Sequence, residues 1–428
     1  MTSSDMNILE RGWTSKPLKQ FARTFSGAGF PIDAQGLQDE AIPFHKVASL
    51  SLGNAEGYIS GSQDTVSKET AARLRAPLLR SGSIVIAKIG AALLLGRVRQ
   101  LSEVATIDNN MLGIVPVGAS DRFVYYVLQT VHFDALVNPG AVPSLSDRNL
   151  RAWKFAVPPL DEQRQIAEYL DRETGKIDEL IAKQEQLVAV LIERRIALVN
   201  LSVTEGIVPE VQRKTESVLG LLNIPASWME ISLTRAAPSR VDYRGATPTK
   251  TESGVQLVTA RNVKSGWIDY ETSQEFIAAE DFDAVMRRGL PRIGDILMTM
   301  EAPLGNVAVV DREDVAFAQR VIKFRLNPAL ADSEFVSFSM NSDYFQQQLM
   351  SKGTGSTAIG LKASKLVELY LALPPISEQK RIASHLKSQT QQMDLLMKTS
   401  RQLALQLRER RAALISAAVT GKIDARGL

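Results

Sequence analysis

Arginine, asparagine and lysine recur at loop positions of this sequence, and their types and places suit contact with nucleic acid. In the second half Arg240, Arg244 and Lys250 flank Gly245, while Arg261, Asn262 and Lys264 follow the apolar run Val255 to Val258. Lys352, Lys362 and Lys365 flank the small-residue loop Gly353-Thr354-Gly355-Ser356-Thr357. In the first half Arg23, Lys46, Lys88, Arg148 and Arg151 fall in comparable places. Arginine matches the paired acceptors of a guanine edge, and asparagine the donor and acceptor of an adenine edge. Lysine serves phosphate as a point charge. Asn262, at the expected end of a strand, and Arg244, beside a glycine, are the expected base readers. Lys362 and Lys365, three apart, are the expected phosphate binders. As a group in loops, these side chains indicate a nucleic-acid surface.

Other chemistry finds little support. There is no cysteine, so there is no thiol nucleophile, disulfide or cysteine-based zinc site. His45, His132 and His385 are too scattered for a ligand cluster or a triad, and no metal is expected. Phe25-Ser26-Gly27-Ala28-Gly29 fits the F-x-G-x-G pattern of S-adenosylmethionine binders, but no Asn-Pro-Pro-aromatic or Asp-Pro-Pro-aromatic loop accompanies it; a glycine turn is expected there. No phosphate-binding G-x-x-x-x-G-K-[ST] loop occurs. Glu378-Gln379-Lys380 lacks the Pro-Asp of a nuclease site and reads as helix surface. The chain is therefore expected to be non-catalytic. Its 428 residues are 45% hydrophobic and 23% charged, with a net charge of +3 that decides nothing about nucleic acid by itself. Neither a leader pattern nor a membrane-length apolar run is evident, so a cytoplasmic location is expected.

One stretch organises the rest, because the chain contains it twice. Pro158-Pro159-Leu160-Asp161-Glu162-Gln163 returns 216 residues later as Pro374-Pro375-Ile376-Ser377-Glu378-Gln379, and the offset holds through Val203-Thr204 and Val419-Thr420. Each copy reads as one long helix, with Asp161 or Ser377 as the expected N-cap after two prolines. A coiled-coil seam is expected through Ile177, Leu180, Leu187, Leu191, Leu198 and Leu201, answered by Met393, Leu396, Leu403, Leu407, Leu414 and Ala417. Helices of roughly 40 residues, about 60 Å long, need a partner along their length. The other copy fits. Residues 158–209 carry 6 Lys+Arg against 10 Asp+Glu, and residues 374–428 carry 10 against 4, so the two attract each other and resist self-pairing.

The globular parts also echo each other. Gly57-Tyr58-Ile59 answers Gly266-Trp267-Ile268, and Gly82-Ser83-Ile84 answers Gly294-Asp295-Ile296. One framework with diverged loops lets two related modules read two different things.

Two long helices opening Pro-Pro-x-x-Glu-Gln, the second closing Ala418-Val419-Thr420-Gly421-Lys422-Ile423, each after a diverged globular part, resemble the specificity (S) subunit of type I restriction-modification systems. The first copy departs slightly, ending Val203-Thr204-Glu205-Gly206-Ile207. The resemblance implies an α/β (α+β) fold in which two mixed target-recognition domains, 1–157 and 210–373, are separated by an antiparallel coiled coil. Its helices are 158–209 (with a linker) and 374–428, and the whole is a pseudo-twofold internal repeat. It implies that each domain reads one half of a bipartite, asymmetric site on double-stranded DNA. It implies further that two modification (methyltransferase) subunits bind S-adenosylmethionine and methylate adenine, and that restriction subunits use ATP and Mg; the chain itself binds no cofactor. Two other classes stay open at this point: an autonomous DNA methyltransferase or nuclease, and a coiled-coil scaffold without specific DNA binding.

Overall fold

The structure, a computed structural model, describes residues 12–138, 140–209, 211–221, 223–243, 248–318, 320–355 and 359–424. The chain forms two compact units: unit 1 is Met1–Gln186 with Ser400–Leu428, and unit 2 is Leu187–Thr399. Each unit holds one mixed α/β part and a portion of both long helices. The expected division at the helix ends is thus a different cut, since the units divide within both helices.

In unit 1 the strands are β1 (Thr14–Pro17), β2 (Ala22–Ser26), β3 (Ile42–His45), β4 (Tyr58–Ile59), β5 (Thr65–Val66), β6 (Ile84–Ala87), β7 (Val98–Leu101), β8 (Thr106–Ile107), β9 (Met111–Pro116), β10 (Val137–Asn138), β11 (Ser144–Leu145) and β12 (Lys154–Val157). Unit 2 has β13 (Met229–Ser232), β14 (Ser239–Asp242), β15 (Val255–Val258), β16 (Phe276–Ile277), β17 (Ile296–Met300), β18 (Leu304–Val309), β19 (Val315–Phe317), β20 (Val321–Arg325) and β21 (Tyr370–Leu373). The sheets of unit 1 run β2-β9-β6-β7-β4 and β5-β3-β8, with β1 paired to β12. Those of unit 2 run β14-β20-β17-β18 and β16-β15-β19, with β13 paired to β21. In both small sheets the middle strand pairs antiparallel on one side and parallel on the other. The two parts therefore share one framework, to which unit 1 adds the edge strand β4 and the β10-β11 pair. The central strands β6 and β17 are buried along their whole length, which is why β6 is wholly apolar and β17 apolar except at Thr299, with no alternation in either.

The long helices are Leu160–Thr204 and Ile376–Val419. They start two residues earlier than the capping argument placed them, so Asp161 and Ser377 lie inside the first turn and are not N-caps. The repeated glutamine has a structural use. Gln163 is buried, donates to the carbonyl of Pro158 (2.9 Å) and accepts from the Ser120 amide (2.9 Å). Gln379 does the same with Pro374 (2.8 Å) and the Asp332 amide (2.8 Å). Ser120 and Asp332 are the N-caps of helices Asp121–Gln129 and Ser333–Met340. The Glu-Gln signature therefore fastens each long helix to the N-terminus of a domain helix. An ion pair reinforces each junction, with its polarity reversed between units: Arg122–Asp171 (2.6 Å) in unit 1 and Lys387–Glu334 (2.7 Å) in unit 2.

Within each unit the helix portions pack antiparallel. In unit 1 Asp178 pairs with Arg411 at 2.8 Å and Glu185 with Arg408. In unit 2 Arg195 lies 3.5 Å from Asp394. Asp178 and Asp394 are equivalent in the repeat, as are Arg195 and Arg411, so the duplicated sequence writes one cross-helix pair twice. The acid-to-base attraction expected between the helices holds for Asp178 and Glu185, while Arg195 reverses it.

The seam itself differs from the expectation. Buried positions include Ile166, Leu170, Thr174, Ile177, Ile181, Leu191 and Val199 on the first helix, and Ile382, Leu386, Thr390, Met393, Met397, Ala404 and Ile415 on the second. Of these Ile166, Leu170, Ile382 and Leu386 belong to the domain cores, and Leu191, Met393 and Met397 pack together. Leu198, Leu407 and Leu414 are half-buried, whereas Leu180, Leu187, Leu201, Leu396 and Leu403 are exposed. Ile177, Leu191 and Met393 are buried as expected, but Met397 and Ala404 are buried in place of their neighbours Leu396 and Leu403. The helices carry a second apolar face, and residue type cannot tell which face meets the partner helix.

Candidate nucleic-acid interface

Parallel pairing brings several strand ends together in each unit. In unit 1, β3 ends at His45 beside the end of β8 at Ile107, and the Asp108 amide donates to the His45 carbonyl (3.0 Å). The Lys88 amide, just past β6, donates to Asn110 (2.7 Å), and the Ala28 amide to Ile107 (3.0 Å). Lys46, the 108–110 turn, Lys88 and the chain after β2 thus share one end of the part. Gly27 lies there because a side chain would collide with the Asp108 carbonyl, 1.9 Å from its Cβ position. Close backbone approach accounts for this member of the F-x-G-x-G pattern.

The same end of unit 2 gathers β15, β17 and β19. The Ala318 amide donates to Val258 (2.9 Å), Met300 to Arg320 (2.8 Å) and Tyr243 to Val321 (3.3 Å). A cleft of about 220 Å³ opens between these loops, lined by Lys250, Thr259, Arg261, Glu275, Ala302 and Arg320 among others. Lys250 pairs with Glu275 (2.7 Å) and Arg320 with Glu301 (3.1 Å). Arg261 is exposed, and among the described residues its guanidinium makes no ion pair. A second cleft, about 330 Å³, shares Pro248 and carries Tyr243, Arg287 and Arg288.

Of the expected contacts, the structure brings Lys250 and Arg261 into one cleft and adds Arg320, which sequence reasoning missed. Arg320 has φ +71°, a conformation unusual outside glycine that turns the chain just before β20. Its signal in the sequence was a lone arginine between the apolar runs Val315 to Ala318 and Val321 to Ile322. Arg287 and Arg288 were missed as well.

Asn262 is a correction. It is 0% exposed, its Oδ1 accepts from the Thr259 amide and hydroxyl (both 2.9 Å), and its Nδ2 donates to the carbonyls of Asp269 (2.8 Å) and Ser273 (2.9 Å). All its hydrogen-bonding capacity is spent bracing the loop, so in this geometry it offers no edge to a base. Lys264 donates to the Arg261 carbonyl (2.6 Å), so it holds the same loop. Lys352 and Lys365 both pair with Glu368 (3.0 and 2.6 Å), and Lys365 lies in a 3-10 helix, Ala363–Glu368, capped by the exposed Lys362. Lys362 and Lys365 are thus not twin phosphate arms on one α-helix face. Arg240 is exposed on β14. Arg244 lies outside the described residues. In unit 1, Lys46 pairs with Asp64 (2.9 Å) and Lys88 reaches the Ser26 hydroxyl (3.3 Å). Arg23 is exposed on β2, and Arg148 and Arg151 are exposed on helix Asp147–Ala152. No group of three or more metal-ligating side chains occurs among the described residues, and none of their helices is long and apolar enough to cross a membrane.

The family model for the type I restriction modification DNA specificity domain matches residues 10–189 and 267–405. The chain belongs to this family. It is 25% identical over 293 residues to the type I restriction enzyme MjaVIII specificity subunit of Methanocaldococcus jannaschii, covering 67% of this chain and 66% of that one. It is 24% identical over 315 residues to the EcoBI specificity subunit of Escherichia coli, covering 71% and 66%. The matches thus span just under two thirds of these relatives. Among solved structures, the HsdS subunit from Thermoanaerobacter tengcongensis is similar at TM-score 0.52 and 15% identity over 96% of this chain and 97% of that one. A chain from "Structural basis underlying complex assembly and conformational transition of the type I R-M system" reaches TM-score 0.66 at 14% identity, over 96% and 98%. These two likenesses establish that the specificity-subunit fold extends over nearly the whole chain.

Proposed function

We propose that this chain is the sequence-reading specificity subunit of a type I restriction-modification complex, and that each unit reads one half of a bipartite, asymmetric DNA site. The observation that carries the reading is the pair of matching loop ends. One strand framework, built twice, ends in loops of different content, and in unit 2 those loops collect Lys250, Arg261 and Arg320 around one cleft. Diverged loops on a common scaffold suit unlike half-sites.

In this reading the chain performs no chemistry. Two modification subunits bring S-adenosylmethionine and methylate adenine, restriction subunits bring ATP and Mg, and the complex works in the cytoplasm. The leucines turned away from the seam suit the modification subunits. Leu180 and Leu396 are equivalent in the repeat, as are Leu187 and Leu403, and all four are exposed. Two like patches suit two copies of one partner, whose helices would complete a bundle.

The test is DNA binding by the complex with its modification subunits, on target and scrambled duplexes across salt concentrations. Arg261→Ala is expected to cost about 1–3 kcal/mol on the target alone and to relax preference at one base pair. Lys362→Ala should weaken both duplexes alike and reduce the salt slope by about one unit. An unchanged ratio of target to scrambled binding in Arg261→Ala would remove the cleft from the reading surface.

A further inference from the structure

The connection from β6 to β7 is where the units differ most at this end. In unit 2 the matching connection, β17 to β18, is the short turn 301–303. In unit 1 it runs over 88–97 and contains the single helical turn Ala91–Leu94. The turn is fastened at its base. The Gly90 amide donates to the Pro143 carbonyl (2.8 Å), the Gly96 amide to Leu93 (3.0 Å), and Leu93 is buried in the core with Phe133 and Leu136. Gly90 and Gly96 enter and leave with φ of +81° and +61°. Leu94 and Leu95, held between these anchors, are 53% and 61% exposed, and Val142, one residue from the anchoring Pro143, is 60% exposed. Single exposed leucines are ordinary, but an adjacent pair on a fastened turn, with a third exposed apolar side chain beside the turn's anchor, is a small built surface. Cations stand on both stems: Lys88, near Ser26, and the exposed Arg97.

We propose that this turn is a wedge that inserts Leu94 and Leu95 between stacked base pairs of the half-site read by unit 1, with Lys88 and Arg97 on the flanking phosphates. The proposal rests on the DNA-reading role given above. The stem charges favour DNA as the occupant, because an apolar tip between two cations matches an unstacked step between two phosphates. Apolar side chains that enter the minor groove unstack and kink the duplex in this manner, and the deformation is recovered through the extra contacts a bent site permits. Unit 2 has no counterpart to the leucine pair at 301–303, so the distortion is confined to one half of the site.

The experiment uses the full chain assembled with its modification subunits and target duplexes carrying 2-aminopurine at successive steps of each half-site. Methyltransferases extrude the base they modify, so the adenine that each half-site presents to a modification subunit is left out of the comparison. At the other positions, with unaltered protein, fluorescence is expected to rise severalfold at one step in one half-site only. The Leu94→Ala/Leu95→Ala double variant, whose changes lie on exposed side chains and spare Leu93, is expected to keep its melting temperature and lose that signal. It should bind the target about tenfold more weakly while binding scrambled duplex as before. A specific complex that lights no step apart from the methylated adenines, or a double variant that keeps the signal, overturns the wedge and leaves the reading role standing. A double variant that loses modification subunits but still unstacks DNA assigns the leucines to a protein contact and overturns it too. A complex with no preference for target over scrambled duplex overturns the reading role, and the wedge with it.

Discussion

Leu191→Asp is expected to destabilise the protein by several kcal/mol, while Leu187→Asp, one turn away on the same helix, changes stability by less than about 1 kcal/mol. Leu191 is 7% exposed and packs with Met393 and Met397, with Val188 and Leu198 at the margin. A carboxylate there loses its water and gains no cation, since Arg195 already faces Asp394. Leu187 is 41% exposed, so a carboxylate there keeps its solvent. Chemical denaturation of the two variants gives the comparison. Equal losses would place Leu187 in the seam and contradict the helix register described here.

Asp295→Ala is expected to cost about 3–5 kcal/mol by stranding a buried cation. Asp295 and Lys323 are each 2% exposed and 3.3 Å apart; Arg325 donates to the same carboxylate at 2.7 and 2.8 Å, and the Arg292 amide at 3.1 Å. Burial pulls the Lys323 ammonium below the usual lysine range, and Asp295 only partly opposes that. Removing the carboxylate leaves desolvation unopposed. The equivalent place in unit 1 has no ions: Ser83 stands for Asp295, and Gly113, opposite Val85 as Lys323 is opposite Leu297, stands for the lysine. The framework therefore does not need the charges. Accordingly, Asp295→Asn/Lys323→Met should recover most of what Asp295→Ala loses. Denaturant midpoints of both variants decide it. A double variant as unstable as the single one would mean that the ions are required for the fold.

The large architecture was legible because the sequence repeats it. The recurrence of Pro-Pro-x-x-Glu-Gln located both long helices to within two residues, and their pairing followed from their length. The use of the glutamine was not legible, because Gln163 and Gln379 act on amides 43 and 47 residues earlier in the chain. Nor was the seam: helices with two apolar faces leave its choice to close packing, which buries Met397 and Ala404 and leaves the adjacent Leu396 and Leu403 exposed. In the candidate interface, residue type was a poor guide. Asn262 has the right shape for adenine, but at a buried turn that shape satisfies four backbone and hydroxyl partners instead. Arg320 passed unnoticed because its place depends on β15 and β19 pairing in parallel across more than fifty residues, which no local pattern encodes.

The claim that two independent readers share one chain is tested most directly by exchanging residues 1–157 for the first domain of another family member, assembling the complex with its modification subunits, and mapping the methylated adenines across a genome. One half of the recognised site should change to that of the donor and the other half should stay as it was. A change in both halves, or in neither, would contradict it.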